Sequence, residues 1–159
     1  MFEPINDGID HINIYSGSRT ILGRNLSNFA DSPFDYEPYG HFRTVEGFWY
    51  WYFTGQQHDS FRRLVGYKAK EKGKLLKFDN ILKDRPIIDD EKNIILGAIR
   101  CKLRQNQDIL NMLVENNLPL THYYYYGDVN NNPKIIVKEE YSWITDEYIR
   151  IRNLMINKK

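Results

Sequence analysis

The sequence predicts an α+β fold: a single, mostly helical domain with a small β-sheet. Three observations predict it. Apolar residues recur at helical spacing over Ile95, Leu96, Ile99 and Leu103, and again over Ile109, Leu110, Leu113 and Val114. β-Branched and aromatic runs, Thr121 to Tyr126 and Ile135 to Val137, flank a polar loop and read as strands. The chain has 159 residues and no repeat, low-complexity stretch or linker, which suits one domain with a core over residues 11–156.

Taken in order, His11 to Tyr15 alternates polar and apolar and predicts a short half-buried strand that ends in the turn Ser16-Gly17-Ser18. Ile21 to Phe29 reads as a second strand or an irregular approach. Asp31 to Gly40, with Pro33 and Pro38, reads as loop or edge with a short strand near Phe34. Thr44 is a good N-cap, and Glu46 falls where a helix dipole favours an anion, so a helix is expected from Thr44 to Phe53, narrowly over a strand, which the aromatic run also favours. Asp59 is expected to cap a helix over Ser60 to Val65, with Phe61, Leu64 and Val65 inward. After the breaker Gly66, Tyr67 to Lys74 predicts a lysine-rich helix. A connecting segment ends at Arg85-Pro86. Asp89 and Asp90 open the longest helix, with Arg100, Lys102 and Arg104 outward, and a further helix starts at Asn106 and stops near Pro119. Thr145 is expected to cap the last helix, with Ile144, Tyr148, Ile151 and Met155 buried, Asp146 and Glu147 at its positive end and Arg150 and Arg152 nearer its negative end.

Composition narrows the function classes. Aromatic content is 14%, with 12 tyrosines, and rings with polar tips often line pockets or grooves. A formal charge of +1 argues against a chain held on nucleic acid by bulk electrostatics and leaves a local basic patch open. The single cysteine, Cys101, allows no internal disulfide and reads as helix packing. His11, His41, His58 and His122 lack metal-ligand spacing, so neither metal nor cofactor is expected. There is no glycine-rich phosphate loop and no nucleophile elbow. No charged-then-apolar leader and no bilayer-length apolar run occur, so a soluble cytoplasmic protein is expected.

The chemistry-bearing stretch is Leu26 to Phe53. Glu46 stands beside Phe48 to Phe53, six consecutive aromatic residues. A carboxylate against so much ring surface must find a partner or shift its pKa upward. Helical spacing brings Tyr50 one turn from Glu46, the best pocket candidate among Trp49, Tyr50 and Trp51. Lys68, Lys70, Lys72 and Lys74 make a solvated face, or one of them binds phosphate or acts as an amine nucleophile. Asn28 and Phe29 suit base or ribose recognition, or simply a turn and a core ring. Asp128, after Gly127, is either a turn residue or the second carboxylate of a pair with Glu46. Tyr123 to Tyr126 would present alternate rings outward on an edge strand, a surface for a host protein partner.

Ser27-Asn28-Phe29, Thr44-Val45-Glu46, Ala69-Lys70 with Gly73-Lys74, Ala98-Ile99-Arg100, Leu103-Arg104-Gln105-Asn106, Tyr126-Gly127-Asp128 and Leu154-Met155 follow one another in an order that resembles the NADAR (YbiA-like) superfamily. The resemblance spans roughly Ile12 to Met155. It departs from the family where Gly47, Tyr50 and Phe53 stand at its His, Gln and Lys positions. It departs again in the loop Val129 to Pro133, and in the lack of a Trp after Arg85-Pro86. It looks like a divergent branch of the kind that large tailed phages encode, which would place it in the host cytoplasm. The resemblance implies N-glycosidic bond cleavage on an ADP-ribosylated or related nucleotide substrate, such as removal of ADP-ribose from guanine in modified DNA. It implies Glu46, Asp128 and Lys70 as catalytic residues, with Asn28, Phe29, Tyr50, Trp49 and Gly127 at the ligand. A non-hydrolysing nucleotide-binding protein is the alternative.

Overall fold

The structure, a computed structural model, describes residues 1–78 and 86–158. Arg85, where the sequence ends a connecting segment, lies outside them. In chain order the elements are β1 (Ile12–Asn13), α1 (Ile21–Leu26), β2 (Phe34–Tyr36), β3 (Gly40–Phe42), α2 (Val45–Phe53), α3 (Tyr67–Leu75), α4 (Asp89–Gln105), α5 (Gln107–Glu115), β4 (Leu120–Thr121), β5 (Tyr123–Tyr126), β6 (Lys134–Val137) and α6 (Ser142–Asn157). The architecture is α+β, with three two-stranded sheets among the described residues. Two compact units form, Met1–Ser27 with Asp108–Lys159, and Asn28–Gln107. No helix among the described residues is long and apolar enough to cross a membrane.

In the first unit, β1 pairs in parallel with β4, Ile12 opposite Leu120 and Asn13 opposite Thr121. This strand is shorter than the sequence suggests and buried on both faces, since His11, Ile12, Asn13 and Ile14 are all buried. The polar members are satisfied, as burial requires. Asn13 exchanges two 3.0 Å hydrogen bonds with the Tyr123 backbone. His11 bonds Asp10 and the Tyr123 hydroxyl, both at 2.6 Å, beneath the Phe2 ring. β5 pairs antiparallel with β6, Tyr123 opposite Val137. The expected strand from Thr121 to Tyr126 is therefore split at His122 between two sheets. Tyr123 is buried, Tyr124 and Tyr125 are half-buried against Tyr15, and Tyr126 is exposed.

Two expectations in this unit are corrected. Ile21 to Leu26 is a helix, because the Thr20 hydroxyl accepts the Gly23 amide at 2.9 Å and starts the first turn. Gly23 lets that helix lie against β1, where a Cβ would meet the Asn13 carbonyl oxygen at 2.2 Å. The last helix begins at Ser142, a turn before Thr145. Its buried face holds Tyr148 but also Glu147 and Arg152, whereas Ile144, Ile151 and Met155 are half-buried. Arg152 is inside because it donates to the carbonyls of Asn116 and Leu118, which follow α5, at 3.2 and 2.8 Å.

Asp7 organises the N-terminal segment. Its buried carboxylate accepts from the Asn13 amide, the Ser18 hydroxyl and the Arg19 amide at 2.9, 2.7 and 2.9 Å. Asp7→Ala leaves three donors without their acceptor and is expected to cost about 3 kcal/mol. Asp7→Asn is expected to lose less. Urea unfolding of both variants checks the order.

In the second unit, β2 and β3 pair antiparallel, Phe34 opposite Phe42. The sequence anticipated β2 and missed β3. The side chain of Gln105, at the end of α4, extends the pairing. It accepts from the Asp35 amide at 2.7 Å and donates to the Asp35 carbonyl at 2.8 Å. Asn106 donates to the Pro33 carbonyl at 3.0 Å. Ser60 to Val65 is a 3-10 turn, Asp59–Arg63, rather than a capped α-helix, and of its expected inward residues only Phe61 is fully buried. Lys102 also corrects the expectation. It is wholly buried on α4, not outward.

Candidate functional site

The site grows from α2. Thr44 caps this helix through a 2.9 Å bond from the Gly47 amide to its hydroxyl. The aromatic run then packs inward. Phe48, Trp49, Tyr50, Trp51 and Phe53 are all buried. One face meets Phe42 and Tyr39 in edge-to-face contacts, the arrangement that ring quadrupoles favour. Arg62 lies over both Phe42 and Trp51, 4.5 Å from each ring centre, and Asp59 accepts from both Trp51 and Arg62 at 3.1 Å. This packing fixes the helix that carries Glu46.

Gly47 lets the first turn of α2 approach the backbone of the Asp59–Arg63 turn. A Cβ there would lie 2.4 Å from the Phe61 backbone oxygen and 3.1 Å from the Thr44 hydroxyl. The helix has no room for a histidine at this position. Gly47→Ala is expected to cost about 1–3 kcal/mol by overpacking against backbone, measured as a lower melting temperature. An unchanged melt would contradict the close approach.

Glu46 keeps part of its surface open, yet its carboxyl is packed closely enough that burial pushes its pKa from the ordinary 4.5 to about 7. The Lys70 ammonium and a hydrogen bond from the Tyr50 hydroxyl pull the other way and moderate the shift. Tyr50 sits one turn along α2 and is held by three neighbours. Its ring stacks on Phe61 at 5.7 Å and meets Phe78 edge-on at 4.5 Å. Gly73 of α3 lies so close that a Cβ would be 2.5 Å from the ring. Tyr50 is thus a buried donor clamped beneath α3 rather than an open stacking surface.

The Glu46 amide donates to the Asn28 carbonyl at 2.9 Å, which brings the start of this unit onto the first turn of α2. The Asn28 side-chain oxygen is buried and accepts no hydrogen bond from the described residues. An orphaned buried acceptor calls for a donor, because leaving it dry costs about 1–3 kcal/mol. The Phe29 ring lies 5.1 Å from that of Tyr67, and the Phe29 carbonyl accepts the Gly66 amide at 3.4 Å. Glu46, Tyr50 and Lys70 therefore belong to one cluster within Asn28–Gln107, with the Asn28 backbone bonded to its first turn and Phe29 packed at the start of α3. A carboxyl that titrates near neutrality, an ammonium, a phenol and an unfilled amide oxygen can together manage a proton and hold a polar, partly charged ligand.

The remaining candidates have other surroundings. Trp49 is buried, with its ring on Phe53 at 5.3 Å. Asp128 and Gly127 are exposed residues of the first unit. The Asp128 side chain closes a turn by accepting the Asn130 amide at 2.9 Å, and Gly127 supplies the positive φ of 99° that this turn needs. Among the described residues no three His, Cys, Asp or Glu side chains gather as metal ligands.

Two residues escaped the sequence reading. Tyr67 is 58% exposed at the start of α3, and its signal was the tyrosine that opens the lysine segment. Lys102 falls in register with Ile95, Ala98 and Ile99, an i, i+3, i+4, i+7 stripe that points inward whatever the residue's charge. No protein-family model matches the chain, and neither the curated proteins nor the solved structures gave a match.

Proposed function

We propose that the chain hydrolyses an N-glycosidic bond in an ADP-ribosylated or related nucleotide substrate, with removal of ADP-ribose from guanine in nucleic acid as the leading case. The observation that carries this reading is Glu46, a carboxyl raised to about 7 by burial and facing Lys70 and Tyr50. A group whose pKa lies near the working pH is the most effective proton carrier. Ionised Glu46 takes a proton from water as the water oxygen bonds to the anomeric carbon. The C–N bond breaks, its electron pair stays on the base nitrogen, and the proton that Glu46 took from water is returned to that nitrogen, which restores the carboxylate. The same carboxylate favours the cation-like sugar of the transition state. Lys70 binds phosphate or serves as the amine. Asn28 accepts a donor from the ligand, Phe29 borders it, and Tyr50 steadies the Glu46 carboxyl through its hydroxyl.

The test is release of free ADP-ribose from an oligonucleotide carrying ADP-ribosylguanine, expected for the wild type and not for Glu46→Gln. Equal release by both proteins refutes the assignment. One observation favours binding without turnover. At the position where the resemblance expects a lysine, Phe53 is 7% exposed in the ring cluster, so α2 offers no amine there. Calorimetric binding of ADP-ribose with no product after long incubation selects that reading, in which the same side chains hold the ligand.

A further inference from the structure

Of the outer face of α3, the chemistry assigned above uses Lys70 alone. We infer that it seats a single nucleic-acid strand, with Tyr67 stacking on a base and Lys70 and Lys74 on the phosphates; this rests on Glu46 being the reacting site. Tyr67, Lys70 and Lys74 stand at i, i+3 and i+7 and share one side of the helix. All three are exposed, as are Lys68 and Lys77, and Glu71 is the one acidic residue in the segment. The opposite side is anchored by buried Ala69 and Gly73 and by Lys72, whose ammonium lies 5.4 Å from the centre of the Phe61 ring. Phe29 backs the Tyr67 ring at 5.1 Å with a 42° tilt, so the phenol is steadied while more than half of it faces solvent.

Lys70 and Lys74 are four residues apart, a rise of roughly 6 Å, close to the spacing of two neighbouring phosphates in an extended strand. A ring at one end and spaced ammoniums along the same side are what a sequence-tolerant single-strand surface requires. Lys70 joins the two regions, since it faces both this surface and the Glu46 carboxyl. A strand laid here would pass its modified nucleotide toward Asn28 and Glu46.

Fluorescence anisotropy with an unmodified, labelled oligothymidine tests the inference without turnover. The wild type is expected to bind the single strand more tightly than a duplex of the same length. Tyr67→Ala is expected to weaken binding roughly tenfold, and Tyr67→Phe to restore it. Lys74→Ala is expected to lower the slope of log affinity against log salt by about 0.7. Equal affinity for Tyr67→Ala and wild type, preference for duplex, or no binding at all overturns the strand. Release of ADP-ribose from a modified mononucleotide is scored separately. Strand binding by a protein that releases nothing from the mononucleotide or from the modified oligonucleotide supports the inference and refutes the hydrolase, and release from the mononucleotide without strand binding does the reverse.

Discussion

Glu46→Gln is expected to lower ADP-ribose release by about 10²–10⁴-fold while making the protein harder to unfold above pH 7. Both effects come from the same cause. Burial raises the folded-state pKa of Glu46 from 4.5 to about 7. Between those values the folded protein keeps a proton that the unfolded chain has lost, so stability falls as pH rises through this window and levels off above it. A shift of this size corresponds to as much as about 3 kcal/mol. Glutamine keeps the shape and removes the ionisation. The variant should therefore melt like the wild type at pH 4 and above it at pH 8. The catalytic arm has its own sign. In the proposed hydrolysis the ionised carboxylate is the base, so the rate should climb with pH through about 7. A rate that falls across that range assigns Glu46 the role of acid instead. Thermal melts at both pH values, with a pH–rate profile, separate this account from one in which Glu46 is merely a first-turn partner of the helix dipole.

Lys102→Met is expected to stabilise the protein at pH 7 by roughly 2–4 kcal/mol. Lys102 is wholly buried, and that burial pushes its pKa down from 10.5 to about 7. The sign is opposite to that of Glu46. Between pH 7 and 10.5 the unfolded chain holds a proton that the folded protein has released, so wild-type stability rises with pH across that window. Methionine matches the length of the side chain without the charge. The gain should be full at or below pH 7 and shrink toward pH 10. Urea denaturation at the two ends of the window measures it. A substitution that destabilises at pH 7 would show that the interactions Lys102 makes outweigh its desolvation.

These two residues mark where the sequence is readable and where it is not. Helices α2, α3, α4 and α5 are visible because local signals agree with the packing: the Thr44 cap, the breaker Gly66, the acidic pair Asp89 and Asp90, and apolar stripes at helical spacing. Helix α1 is not visible. It has only six residues, Ile21 is 62% exposed, and the Thr20 cap alone distinguishes it from a strand. β3 is three residues long and contains Gly40 and His41, with no alternation to read. Lys102 was placed outward because charge was weighed above register, and Arg152 was placed only as a cation near the negative end of its helix. In both cases tertiary packing decided, through the helix stripe for Lys102 and through two carbonyls for Arg152.

The candidate site divides in the same way. The Glu46–Tyr50 neighbourhood follows from one helical turn and was legible. The approach of Lys70 depends on α3 packing across α2 through Gly73, and the orphaned oxygen of Asn28 depends on a backbone bond between residues 28 and 46. Neither has a local signature. The aromatic run was readable as apolar, but not as a clamp. That Tyr50 is held by Phe61, Phe78 and Gly73 is set by elements that arrive later in the chain, whereas Trp49 on Phe53 is an i, i+4 pair within α2.

The most direct test is a carbon-13 NMR titration of the Glu46 side-chain carboxyl, assigned by its loss in Glu46→Gln. The account predicts a midpoint near pH 7 that moves upward in Lys70→Met, because removing the ammonium removes the opposing attraction. A midpoint at the ordinary 4.5, unchanged by Lys70→Met, would show a carboxylate in water and contradict the site on which every functional statement here depends.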